Sequence, residues 1–163
     1  MDKILIIWAS VLRVIPLPFG TTPLGAFGLF AGSQLSFWRA LAVPMVALVI
    51  GDLVIGFYDW VVMLFVYAGF VLTPLIGRRL IKDRRHAGQI GIAVWANALV
   101  FYAVSNFGNW LAFYPMTIEG LVANYVAGLP FLGYAFVADL AYCAILFGGY
   151  EAVQRLRAAR LAA

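Results

Sequence analysis

Residues 78–86 read RRLIKDRRH, five lysines and arginines within nine positions of a chain that is otherwise poor in charge. Charged residues fill 11% of its 163 positions and apolar ones 65%, with a mean hydropathy of +0.98. A soluble domain carries roughly 25% charged and 45–50% apolar residues. So apolar a chain of this length cannot hide its side chains in one small core, and its composition is that of an integral membrane protein. The run 78–86 must then lie outside the hydrocarbon. Short connections rich in Lys and Arg stay on the cytoplasmic side, so this run sets how the chain is threaded.

Working outward from it, six apolar segments can be marked, at about 3–15, 22–36, 40–57, 60–77, 88–107 and 131–150. A second basic cluster, Arg155, Arg157 and Arg160, follows the sixth segment. Six spans with both termini inside put the two clusters on the cytoplasmic side together. Lys3 and Arg39 join them, which leaves Arg13 as the one basic residue of eleven on the outer half. The expected fold is all-α: one domain, 1–163, a polytopic bundle of about six transmembrane helices. Segments one and two fall short of the ~20 residues of a straight span, so they tilt or pack inside the bundle. The outer connections are PLPFGTT at 16–22, FYDW at 57–60, and a long stretch at about 106–130. That last stretch is expected to form one or two short helices on the outer surface.

Several function classes drop out. One cysteine, Cys143, and one histidine, His86, give no disulfide and no Cys- or His-based metal site. The two lysines, Lys3 and Lys82, stand in no phosphate-loop context, so the chain does not hydrolyse ATP itself. HExxH and GxSxG are missing. The GD at 51–52 and YD at 58–59 crowd one helix end rather than two helices, so catalysis is not expected. The N-terminal run lacks a small-x-small cleavage site and reads as a retained first helix. The net charge of +4 is concentrated at helix ends, and no nucleic-acid partner or cofactor is expected.

Polar residues inside apolar segments are the candidates for function. Trp95, Tyr102, Asn106, and Asn109 or Trp110 recur at helical spacing on one face of the fifth segment. Such a stripe suits the wall of an organic-ligand pocket, and it equally suits interfacial anchoring or interhelical hydrogen bonding. Asp52 and Asp139 lie within spans, where an acid faces the bundle interior or an aqueous cavity. Each either meets a ligand or a proton, or is tied to Asn, Tyr or Arg13 across the bundle. Arg13 binds a ligand carboxylate or neutralises a nearby acid. Gly25, Gly28 and Gly32 give the second segment a small face that permits close helix approach.

The stretches TTPLGAFGLFAGSQLS at 21–36, PMVALVIGDLVIGFYDW at 44–60, SNFGNWLAFYPMTIEGLVANYVAGLPF at 105–131 and DLAYCAILFG at 139–148 carry a resemblance. The chain resembles the substrate-binding S components of energy-coupling-factor vitamin transporters, and more specifically an uncharacterised bacterial family placed near them. The resemblance implies a multi-pass protein of the bacterial cytoplasmic membrane that binds a vitamin-like micronutrient near the outer end of the bundle. It implies a separate transmembrane coupling subunit with two ATPases. Its ligand contacts would be Asn106, Asn109, Trp110, Tyr114, Glu119, Asn124 and Tyr125, with Tyr102, Asp52, Asp139 and Arg13 behind them. One departure is plain: where S components place alanines four apart on the first helix, Ala9 is followed by Arg13. Two other readings stand beside this one, a stand-alone proton-linked carrier using Asp52 or Asp139, and a structural subunit of an envelope complex.

Overall fold

A computed structural model describes residues 1–15, 22–83 and 85–162, so the expected connection at 16–22 lies, but for Thr22, outside the described residues. The chain forms six helices: α1 (Asp2–Val14), α2 (Leu24–Gln34), α3 (Phe37–Ile55), α4 (Trp60–Leu80), α5 (Ala87–Phe113) and α6 (Ile118–Ala162). In hydrocarbon, every backbone N–H and C=O must be satisfied within the protein, and a helix does this locally. Helices α3 to α6 are long and apolar enough to cross a membrane.

Local chemistry sets the boundaries. The Asp59 carboxylate accepts from the Val61 and Val62 amides at 2.9 and 3.1 Å, capping α4 rather than standing as a solvated loop residue. His86 Nδ1 accepts from the Gln89 amide and caps α5, which gives the lone histidine a structural role. Thr117 Oγ1 does the same for α6 through the Gly120 amide. Helix α3 ends at Gly56, whose φ of 109° lies where a side chain is strained.

Helix α2 sits at the centre. Ten of its eleven residues are buried, and it touches each of the other five helices. Glycines make this possible: a Cβ on Gly28 would strike Thr73, one on Gly32 the Pro74 carbonyl, and one on Gly77 the Leu29 carbonyl. The remaining helices form an arc around α2 in the order α1, α3, α4, α5, α6, and α1 and α6 do not touch among the described residues. Arg39 meets Asp2 and Arg13 meets Asp52, so α1 and α3 run parallel. Phe65 against Phe107 and Phe70 against Phe101 make α4 and α5 antiparallel. Tyr102 against Tyr125 and Trp95 against Phe136 do the same for α5 and α6. The starts of α1, α3 and α5 and the ends of α4 and α6 therefore share one end of the bundle. Lys3, Arg39, Arg78, Arg79, Lys82, Arg85 and Arg155 to Arg160 all belong to it.

The surface is inverted relative to a water-soluble protein. Trp38, Leu53, Trp60, Ile118, Val137 and Ile145 are each more than 60% exposed, while Asp52, Thr73, Asn97, Asn124 and Asp139 are buried.

The structure corrects the sequence reading of residues 106–130. Residues 106–130 do not form separate surface helices. Helix α5 continues to Phe113, four residues turn the chain, and α6 runs unbroken from Ile118, so the sixth segment begins thirteen residues before 131. Pro130 sits inside α6. It withholds one N–H from the Val126 carbonyl, and the bonds on either side carry the helix through.

Candidate functional site

The outer half of the α5–α6 seam is a ladder of hydrogen bonds. Asn109 Nδ2 donates to Asn124 Oδ1 at 2.6 Å, and Asn124 Nδ2 donates to the Asn106 carbonyl at 2.7 Å. Asn106 Nδ2 turns back to the Tyr102 carbonyl at 2.9 Å. Tyr102 donates its hydroxyl to the Tyr125 carbonyl, and Tyr125 donates to the Ala103 carbonyl at 2.7 Å. A side chain at Gly128 would collide with the Asn106 amide, so this glycine allows α6 to close on α5. The expected single face of α5 therefore exists; Tyr102 and Asn109 spend their donors on α6, Asn106 on its own helix and Trp110 on the turn. Asn106 Oδ1 and Asn109 Oδ1 accept no hydrogen bond from the described residues.

Three neighbouring cavities open beside this ladder. The outer one, about 380 Å³, is lined by Ser105, Asn106, Asn109, Tyr114 and Asn124 together with apolar side chains. A second, about 260 Å³, adds Tyr102 and Leu132. The third, about 280 Å³, lies deeper and is lined by Arg13, Thr22, Tyr58, Asn97 and Asp139 above a floor of Phe70 and Ala98. Phe101 lines all three, its ring 4.5 Å from that of Phe70 and pressed against Gly69.

Two buried acids meet in different ways at this depth. Asp139 lies at the N-terminus of α2, where helices carry unpaired amides and a partial positive charge. It accepts from the Ala26 amide at 2.9 Å and from Asn97 Nδ2 at 3.2 Å, and Gly25 leaves the space for its carboxylate. Asp52 is only 1% exposed in its side chain; it holds Arg13 at 2.5 Å and accepts from the Tyr67 hydroxyl at 2.9 Å. Gly51 gives the Arg13 side chain room, and Arg13 Nε is buried without an acceptor among the described residues. Of the two roles open to Arg13 from sequence, neutralising an acid is the one the geometry takes.

The expected site residues thus fall into groups. Asn106, Asn109, Tyr114 and Asn124 line the outer cavity, Tyr102 its neighbour, and Arg13 and Asp139 the deep one. Asp52 stands behind Arg13. Three others lie outside these linings. Trp110 donates Nε1–H to the Pro115 carbonyl, Tyr125 is bonded along the seam, and Glu119 is exposed in the first turn of α6. Sequence reasoning missed Phe101, Ser105 and Asn97. Asn97 is a polar residue within the fifth apolar run, a signal of the kind that marked Asn106. Phe101 is one phenylalanine among thirteen and carries none. Among the described residues, no three His, Cys, Asp or Glu side chains come together as a metal site.

This fold and polar interior define an all-helical protein of membrane type. The chain belongs to a family of unknown function (DUF6580), which it matches over residues 3–161. No curated protein and no solved structure matches it.

Proposed function

We propose that this chain is a membrane-embedded binding subunit for uptake of a small organic micronutrient, in the manner of a vitamin-transporter S component. The observation that carries the reading is the file of cavities meeting at Phe101, from the Asn106–Asn124 ladder inward to Asn97 and Asp139. Their lining is mostly apolar and aromatic with a few polar groups, which is the make-up of small-molecule pockets. The basic residues gathered at the opposite end of the bundle support a threading in which that end, with both termini, faces the cytoplasm of a bacterial inner membrane. Ligand then enters from outside. The anion-attracting N-terminus of α2 is already filled by Asp139, so the pocket favours a neutral or cationic compound. No catalytic step belongs to this reading. A transmembrane coupling subunit with two ATPases would supply the energy.

Purified protein should carry a small molecule detectable by mass spectrometry after denaturation. Phe101→Trp, which fills the junction of the cavities, should weaken its rebinding at least tenfold while the variant stays folded. A protein that copurifies with no compound, or one whose affinity ignores this substitution, would refute the assignment. A second reading rests on Asp139, a buried carboxylate whose hydrogen-bond partners, Ala26 and Asn97, are neutral. It makes the chain a proton-linked carrier. Uptake abolished by an uncoupler and indifferent to loss of partner ATPases would select it.

A further inference from the structure

Another cavity lies away from this site. A groove of about 890 Å³ runs between the last turns of α4 and the first half of α5, at the basic end of the bundle. Its walls are apolar: Leu72, Leu75 and Ile76 of α4, with Ala96 and Val100 of α5. Its mouth holds Arg78, Arg79 and Lys82 against a single acid, Asp83. All four of these charged residues are exposed, and none of the three cations has an acid within 4 Å among the described residues.

We propose that this groove seats one anionic phospholipid. Leu72 to Leu80 spans eight residues of rise, about 12 Å. One leaflet of a bilayer core is about 15 Å deep. A phosphate held by Arg78, Arg79 and Lys82 therefore places its acyl chains along Leu75, Ala96 and Val100. The small side chain of Ala96 keeps the floor open beside α4. A net charge of +2 at the mouth selects an anionic headgroup over a zwitterionic one. A soluble phosphate compound would leave the apolar length of the groove unused, so the occupant is a lipid. Basic pockets between helices on a cytoplasmic face suit such headgroups, each cation contributing about a factor of five in affinity.

The full chain in neutral detergent is titrated with phosphatidylglycerol or with phosphatidylcholine of identical acyl chains, and bound lipid is counted by native mass spectrometry. One phosphatidylglycerol should be retained per chain, preferred about a hundredfold. Arg78→Gln, Arg79→Gln and Lys82→Gln together should bring the two lipids to parity. Ala96→Phe keeps the cations but fills the floor, and should release both lipids; it also serves if the triple variant fails to fold. Equal retention by the native chain would overturn the proposal, as would a preference that survives either variant. Displacement by glycerol 3-phosphate as effective as by the lipid would also overturn it, by making the site one for soluble phosphates.

Discussion

The side chains that look most functional in this protein are largely engaged with one another. Arg13 and Asp52 are the sharpest case, a pair drawn out of water with side chains 12% and 1% exposed. Desolvating both charges is costly, and the pair breaks close to even against neutral replacements, whereas removing one partner strands the other. Arg13→Met alone should therefore destabilise the protein by about 3–5 kcal/mol. Adding Asp52→Asn, which keeps an acceptor for Tyr67, should restore most of that loss. Thermal unfolding of the two single variants and the double variant in detergent measures the coupling; additive losses would show that the two charges act independently. Asn106, Asn109 and Asn124 follow the same logic without charge. Each amide bonds across or along the seam, and all three side chains line the outer cavity.

At the scale of the element, glycine decides where helices meet. Gly32 and Gly77 lie against backbone carbonyls of the opposing helix, Pro74 and Leu29, which cannot swing aside as a long side chain would. Gly32→Ala or Gly77→Ala should push α2 and α4 apart and lower the unfolding temperature markedly, by several degrees or more. Gly133→Ala and Gly148→Ala meet nothing within 4 Å, and should be neutral or stabilising by up to ~1 kcal/mol through helix propensity. Equal effects at the two kinds of position would contradict the packing described. The small face of α2 was legible in sequence because Gly25, Gly28 and Gly32 recur at helical spacing. The apolar runs of α3, α4 and α5 were legible for the same reason. The first thirteen residues of helix α6 were not, because Glu119, Asn124 and Pro130 interrupt its run, and polarity and proline both read as loop when the partner helix is unseen. Asn97 paired with Asp139 was likewise hidden: the two are 42 residues apart, and spacing carries no information over that distance. Asn106 and Asn109 could be placed on one face, but whether that face met ligand or α6 depended on where α6 began.

For the whole molecule, the antiparallel order of α4, α5 and α6 puts the α5–α6 turn opposite the basic end. In a background with Cys143→Ala, a cysteine at exposed Met116 should react with a membrane-impermeant maleimide added outside intact cells. A cysteine at exposed Leu161 should react only after the membrane is opened. Labelling of both from the same side would reject the threading. The distribution of Lys and Arg let the sequence group the helix ends that share one end of the bundle, since charge marks helix ends. The central position of α2 was only one of two possibilities there, because a short apolar segment fits either a tilted span or a buried core helix.

Helix α2 also imposes an order on biosynthesis. It leaves the ribosome second, yet its first turn is completed by Asp139, which bonds to Ala26 across 113 residues. Until α6 arrives, that helix has neither its cap nor its full enclosure. A nascent chain halted before residue 139 thus holds an apolar segment too short to span the bilayer, with the Ala26 amide of its first turn unsatisfied. The enclosure of α2 is completed only when α6 packs against it, and truncations within α6 should expose the protein's most buried helix to the cell's quality control.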